Sequence, residues 1–473
     1  MTLAEELVDV LGEENLDSSP GTLERFRVDE SVRSASDNTP SFIVTPRDAE
    51  RVSKVLQIAN KYRMPVVAVG YMSSTHGSSV PSKGSIVLDF KGWNEILEID
   101  TDNRLVTVRP GVTIMKLQKE LEKHGFFLAH GPSTWFRATV GGAISCGSGG
   151  VFHLRYGRPI EQVVSLEVVL PTGEIIETGK KVHEPGFGYD LARVIGPSEG
   201  TLGIITKATL RIYPIPEYRL VEGYDFSSVS TAFNAVNALI DSGIFPETIL
   251  GHNGRSHFTN FMPTVRRLQG KDYEQPKGRE NIGCILVVYA GSKKIVDAQR
   301  AIGREIMQSF GGEVEEEFVS ETWYKQRFPE DTRHHFSTRG ENKHRHATVD
   351  CCVPRAKANE LCDSYKRITK EHGFKPFSIA IAYAGYDASL RLVFGVEIDK
   401  TDDLQTSSFK KWKYAIVEEI LRAGGETQQV GDAFLEAAGS SYGSSLVAMQ
   451  GLKKAFDPNW ILNPGKKVPR SLD

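Results

Sequence analysis

The stretch Gly196-Pro197-Ser198-Glu199-Gly200-Thr201-Leu202-Gly203-Ile204-Ile205-Thr206 decides how this chain is read. Its glycines and small hydroxyl residues lead into an apolar run over residues 203–212, which the pattern predicts to be a β-strand. A loop of that composition at a strand end exposes main-chain N–H groups, and several such groups can ring an anion with no charged side chain. One such loop alone reads as well as a tight turn. Two more lie upstream. Gly70-Tyr71-Met72-Ser73-Ser74-Thr75-His76-Gly77 follows an apolar run over 65–69 that reads as a buried strand. Pro132-Ser133, Ala138-Thr139-Val140-Gly141-Gly142-Ala143 and Ser145-Cys146-Gly147-Ser148-Gly149-Gly150 form a second, glycine-dense loop. A diphosphate needs several donors at once, and three loops in this order supply them.

Around these loops the chain mixes strands and helices. Apolar residues at Val52, Val55, Leu56 and Ala59 carry the three-and-four spacing of an amphipathic helix over 48–62. Short strands are predicted at 41–44, 86–89, 96–100, 105–109 and 162–170, and a helix at 114–124, without a strict βαβ rhythm, which suits an α+β domain. Pro214-Ile215-Pro216 interrupts both ladder and helix and marks a boundary. Beyond it, helices at 229–242, 295–310, 356–372 and 408–423 alternate with strands at 283–291, 347–353, 378–383 and 390–398, the order of an antiparallel sheet with helices on one face. The predicted segments are 1–38, an amino-terminal helix and loop; 39–216, the anion-cradling domain; 217–450, a second α+β domain; and 451–473, a terminal segment. No internal repeat stands out.

Composition narrows the class. In 473 residues, 40% hydrophobic and 25% charged, 57 Lys and Arg face 60 Asp and Glu, a formal charge of −3 that offers no field for nucleic acid or anionic lipid. No apolar run approaches the roughly 18 residues of a spanning helix, and the first 17 residues lack a signal peptide's apolar centre, so a cytoplasmic location is expected. The cysteines, Cys146, Cys284, Cys351, Cys352 and Cys362, form no CxxC pair and read as reduced packing thiols.

The three loops in sequence resemble the flavin domain of the vanillyl-alcohol-oxidase type, also called the PCMH-type FAD-binding domain, found in D-lactate and glycolate dehydrogenases and alkyldihydroxyacetonephosphate synthase. Tyr156-Gly157, Gly188-Tyr189-Asp190-Leu191 and the stretch from Ser198 to Thr206 carry the resemblance, and it returns at Asp457-Pro458-Asn459-Trp460-Ile461-Leu462-Asn463-Pro464-Gly465-Lys466. It implies an α+β chain: a PCMH-type FAD-binding domain plus a ferredoxin-like α+β cap domain. It also implies FAD contacts at Gly70, Tyr71, Met72, Ser73, Ser74, His76, Gly77, Pro132, Ser133, Thr139, Gly141, Gly142, Ser145, Gly147, Glu199, Gly200, Gly203, Ile204, Ile205 and Asn463. Relatives usually carry glycines where this chain has Tyr71 and Met72. Some attach the flavin through a histidine that matches Ser73 here, so non-covalent FAD is expected, with Cys146 packing near the cofactor.

In the hydroxy-acid dehydrogenase branch, a cap motif of the type Gly-His-x-Gly-Asp-Gly-Asn-x-His and a later Glu-His-Gly supply histidines to a divalent metal. Here Tyr383, Arg391 and Gln428 stand where those histidines would, and a guanidinium cannot coordinate, so no metal is expected. Arg391 offers a fork to an anion and Tyr383 a hydroxyl for proton transfer, or both are ordinary polar side chains of a strand. His334, His335, Arg339, His344, Arg345 and His346 form a polar cluster in which His344 and His346 are candidates for a base or anion pocket, with a metal pair, from the His-x-His spacing but without a clear third ligand, and a solvated loop as the alternatives. The basic segment 255–272 reads as a lid, an acceptor contact or a solvated loop.

The expected function is an FAD-dependent oxidoreductase that oxidises an alcohol carbon by hydride transfer to flavin N5, a D-2-hydroxy acid of the lactate or glycolate type first. A phenolic or sugar-type alcohol, a non-redox synthase of the alkyldihydroxyacetonephosphate type and a flavin binder without turnover are the alternatives. A small-molecule substrate is the expected partner; the sequence names no electron acceptor and leaves a homo-oligomer open.

Overall fold

The helix Ala49–Tyr62 shows why the amino-terminal half folds as it does. Val52, Val55, Leu56 and Ala59 are all completely buried. Asp48 caps the helix, its carboxylate accepting from the Arg51 N–H at 2.7 Å. In the computed structural model, which describes residues 1–31, 38–182, 186–328, 344–383, 389–399, 402–431 and 434–470, this helix and the first one, Leu3–Leu11, share a core with a four-stranded sheet. The strand order there is Leu16–Asp17, Phe42–Val44, Ile86–Asp89, Val66–Val69, antiparallel in the first pair and parallel in the others. A five-stranded antiparallel sheet follows, ordered Ile96–Asp100, Leu105–Val108, Ile204–Arg211, Val163–Val169, Ile175–Glu177.

The chain end returns to this half. Ile461 O accepts from the Val66 N–H, and the Asn463 N–H donates to Val66 O, both at 2.8 Å. Lys453, itself buried, anchors the return by donating to Thr201 O at 2.7 Å, Leu462 O at 2.9 Å and the Asp457 carboxylate at 2.5 Å. Thr201 belongs to the third loop, so the terminal segment is tied to that loop.

The second half is an eight-stranded antiparallel sheet among the described residues, ordered Glu313–Val314, Tyr218–Phe226, Gly283–Gly291, Thr248–Asn253, Ser378–Tyr383, Ser389–Asp399, His344–Pro354, Glu426–Thr427. Each group of four strands is a βαββαβ unit: Val229–Asp241 and Lys293–Ser309 are the helices of the first, Ala358–Glu371 and Asp403–Arg422 those of the second. Numbered within its unit, each shows the same neighbour order, the fourth strand beside the first, the first beside the third and the third beside the second. The two units join edge to edge through Leu250, Gly251 and His252 against Ala380, Ile381 and Ala382. The expected ferredoxin-like cap is therefore present twice, a repeat of topology that no sequence similarity announced.

The period-two alternation of the long strand sorts its faces. Leu390, Leu392, Phe394, Val396 and Ile398 enter the core beneath the helices, where Tyr365 stacks on Phe394 at 4.7 Å. Arg391 and Val393 face the other way. Two expectations are corrected. Residues 140–146, taken as loop, form the helix Val140–Cys146, which its two glycines disguise and which Thr139 caps by accepting from the Gly142 N–H at 3.2 Å. Segment 255–272 is largely helical, not a solvated loop: Phe258, Phe261 and Met262 are buried with Trp323. Among the described residues no helix is long and apolar enough to cross a membrane.

Candidate active site

A cavity of about 460 Å³ lies between the three loops and the open face of the eight-stranded sheet. Its two walls differ in kind. On the loop side the lining runs through residues 70–76, 131–134, 138–139, 141–143, 145–146, 148–151, 199–200 and 203–205. Among the described residues the main-chain N–H groups of Tyr71 to Thr75, Gly149 and Gly150 have no acceptor in the fold, so they are available to a ligand. Met72 holds φ at 52°, the left-handed region that costs a non-glycine residue about 1 kcal/mol. The chain thus keeps the backbone turn that a glycine would make. Met72 packs on the cluster of Phe26, Val67 and Val69, and Tyr71 is 43% exposed. Gly70 allows the first loop to lie against the second: a Cβ there would come within 2.6 Å of Thr139 Oγ1.

The helix Val140–Cys146 borders the same space, but its first amides are committed. Val140 donates to Val112 O at 2.8 Å, Gly141 to Pro110 O at 3.0 Å, and Ala143 to Thr139 O at 2.8 Å. Thr139, Gly141 and Gly142 therefore line the cavity chiefly as small surfaces. In the third loop, Glu199 has φ at 56°, and its buried carboxylate accepts from the N–H groups of Val430 at 3.0 Å and Gly431 at 2.8 Å and from Ser78 Oγ at 3.1 Å. It buttons the sheet domain onto the loops.

The sheet side is built from side chains. His252, Ala380, Val393 and Asp350 form one cross-strand row, three strand spacings or roughly 14 Å long. Each end carries an arginine. At one end Arg391 Nη2 donates to Asp350 Oδ2 at 2.6 Å, both side chains 15% exposed. At the other Arg327 Nη2 lies 2.8 Å from His252 Nε2. Because Arg327 can only donate, His252 Nε2 is the acceptor and its proton sits on Nδ1. Burial first, and the guanidinium second, hold His252 well below the usual histidine range, so it is neutral. Burial also draws Arg327 down to about 10, which leaves it a cation at neutral pH, and among the described residues it has no carboxylate partner. Thr348, Ser378, Leu250, Phe377 and Gln429 complete this wall.

Behind the Arg391 end, His130 and His153 stack with ring centroids 5.8 Å apart. His130 Nε2 is 2.9 Å from Ser148 Oγ, and burial followed by Arg391 brings its pKa to about 3. Burial first, then His130 and Arg391, hold His153 well below the usual histidine range, and its two nitrogens have no hydrogen-bond partner among the described residues. Gly149 lets Arg391 in, since a Cβ there would stand 1.8 Å from Arg391 Nη1.

The structure distributes the sequence candidates unevenly. Gly70 to Ser74, His76, Pro132, Ser133, Thr139, Gly141, Gly142, Ser145, Glu199, Gly200, Gly203, Ile204, Ile205, Cys146 and Arg391 all line the cavity. Gly77, Gly147 and Asn463 do not; Asn463 braces two loops by donating from Nδ2 to Ser78 O at 2.9 Å and Glu199 O at 2.7 Å. Gln428 is displaced by its neighbour. Its main-chain N–H is bonded to Asp350 O at 3.1 Å and Gln429 lines the wall instead, a one-residue shift that exchanges the faces of an extended chain. The side chains of Tyr383, His344 and His346 lie outside the described residues, as do residues 329–343 and 384–388 whole, with His334, His335 and Arg339. Arg327, His252 and Asp350 were missed. Asp350 and Thr348 had a signal in the polar alternation of their strand, and Arg327 opens the polar, His- and Arg-rich run over 327–346; His252 comes from a segment without one.

Comparison with known proteins agrees with this geometry. Residues 40–179 match the FAD binding domain family, and residues 215–467 match the FAD linked oxidases, C-terminal domain. Glycolate oxidase subunit GlcD of Bacillus subtilis is 29% identical over 98% of this chain and 96% of its own length. D-lactate dehydrogenase of Archaeoglobus fulgidus is 28% identical over 90% of this chain and 91% of its own. In three dimensions the chain is similar to p-cresol methylhydroxylase with substrate bound, with a TM-score of 0.84 at 19% identity over 98% of this chain and 96% of that one. Alkyldihydroxyacetonephosphate synthase gives a TM-score of 0.77 at 21% identity over 98% and 86% of the two chains. The acceptor-free amides of residues 71–75 and the close approach at Gly70 suit the diphosphate of FAD.

Proposed function

The chain belongs to the FAD-linked oxidases and is an FAD-dependent oxidoreductase, and on that premise we propose that it oxidises the alcohol carbon of a small 2-hydroxy acid to the 2-oxo acid. The observation that carries this reading is Arg327, a partly buried cation without a carboxylate partner among the described residues, on the wall of a cavity whose other guanidinium is already paired. A carboxylate is the group that such a site stabilises, through a charge-assisted and often bidentate hydrogen bond. The relatives named for glycolate and D-lactate support the same substrate class.

In this reading the amides of residues 71–75 and the small residues of the second loop hold FAD non-covalently. When bound, FAD supplies the two-electron sink for the oxidation. The chain's own residues do the placing: Arg327 takes the carboxylate, the floor of Ala380 and Val393 leaves room for a short carbon skeleton, and Arg391 faces the alcohol oxygen. Anaerobic bleaching of the flavin by a panel of hydroxy acids, polyols and aromatic alcohols tests the proposal. Hydroxy acids should bleach it stoichiometrically; bleaching by polyols or phenolic alcohols alone would replace the substrate class. Arg391→Ala should lower kcat/KM for the acid by ~30-fold or more, the low end of what losing a buried charged partner costs, with FAD content intact.

A further inference from the structure

Oxidation of an alcohol releases the hydroxyl proton, and the described side chains of the cavity offer few places for it. Glu199 has both oxygens committed to the amides of Val430 and Gly431 and to Ser78. His252 Nε2 is occupied by Arg327. His76 has Nδ1 against Thr75 Oγ1 at 3.0 Å and Nε2 sealed from the cavity, with its ring packed on Phe434. Burial and Glu199 push the Cys146 thiol up to about 12, so it is not a base at neutral pH. Asp350 is different. One oxygen is bound by Arg391 at 2.6 Å; the other has no partner among the described residues, in a side chain that lines the cavity and keeps 15% of its surface open.

We infer that Asp350 is the catalytic base of the reaction. The ionised carboxylate takes the hydroxyl proton through its free oxygen as the O–H bond breaks, and the oxygen lone pair left behind forms the C=O bond. The carbon gives up its hydrogen with the bonding electron pair to the oxidised flavin, so the substrate loses two electrons and two protons in all. Arg391 fixes the position of the Asp350 carboxylate through their 2.6 Å ion pair and presents a guanidinium to the oxygen as negative charge builds there. The proton then leaves Asp350 through the open side of the cavity. The inference rests on the alcohol-oxidation reading above but not on which alcohol is the substrate.

The test uses the holoenzyme, with whichever alcohol bleaches the wild-type flavin fastest, and the variants Asp350→Asn and Asp350→Ala. Flavin reduction should slow by ~10²–10⁴-fold in both, the usual weight of a general base. The variants should retain FAD and bind the oxidised product, which has no proton to give, as tightly as wild type in a spectral titration. Formate should restore part of the rate to Asp350→Ala in proportion to its concentration, and should not restore it to Asp350→Asn, where the amide fills the space. A loss of product affinity that parallels the loss of rate would make Asp350 merely a holder of Arg391 and overturn the assignment. Absence of formate rescue, or an unchanged rate, would overturn it as well. Should no alcohol bleach the wild-type flavin, the alcohol-oxidation reading falls first and takes this inference with it.

Discussion

The two walls of the cavity solve recognition by opposite means. The loop wall presents mainly main-chain amides and small side chains, which do not titrate and depend little on residue identity beyond the absence of bulk. The sheet wall presents Arg391, Asp350, Arg327 and His252, whose charges depend on one another and on burial. The contrast teaches that the loop wall tolerates side-chain change but not added atoms, whereas the sheet wall tolerates shape change better than charge change.

Acid should separate the walls most strongly. His130, His153 and His252 are neutral in the fold, with pKa values below the ordinary 6.5. The unfolded chain binds protons near that value and the native chain does not, so stability is whole above about pH 6.5 and declines below it, by up to ~1.4 kcal/mol per pH unit for each histidine. The decline should continue until the folded pKa is reached, about 3 for His130. Urea midpoints between pH 7 and 5 should show this slope, while FAD affinity of the native protein stays flat over the same window; a flat stability profile would break the contrast.

Glu199→Gln comes next. The amide would turn its NH2 donor toward the N–H of either Val430 or Gly431, leaving that buried donor unsatisfied and costing ~2–3 kcal/mol. A lower unfolding midpoint with weaker FAD retention would show that the button joins both walls. Gly149→Ala should act on one wall only: the new Cβ displaces the tip of Arg391, so kcat/KM falls ~10-fold, or ~1.4 kcal/mol, with stability nearly unchanged. Met72→Gly should do least. Relief of a left-handed non-glycine residue and loss of its packing on Phe26 nearly offset, leaving stability within ~1 kcal/mol and FAD binding intact.

Much of the loop wall was legible because glycine and hydroxyl patterns are local, and residues 70–76, 199–200 and 203–205 line the cavity. Their division of labour was not: nothing local says that the amides of residues 71–75 are open while those of residues 140–143 are bound to the chain. On the sheet wall, the resemblance to the cap motif singled out Arg391, but its partner Asp350 lies on the neighbouring strand. Gln429 rather than Gln428 lines the wall because the adjoining strand, Glu426–Thr427, has only two residues, too short for a pattern to set its register.

By itself the sequence determined the α+β class and the glycine- and hydroxyl-rich loops that line the cavity, since each rests on residues close together in the chain. Only the tertiary structure decided the doubled βαββαβ sheet, the pairing of Arg391 with Asp350 and of Arg327 with His252, and the role of Glu199. Those depend on strand order and on which polar atoms are left without water, and both are settled when distant segments pack together.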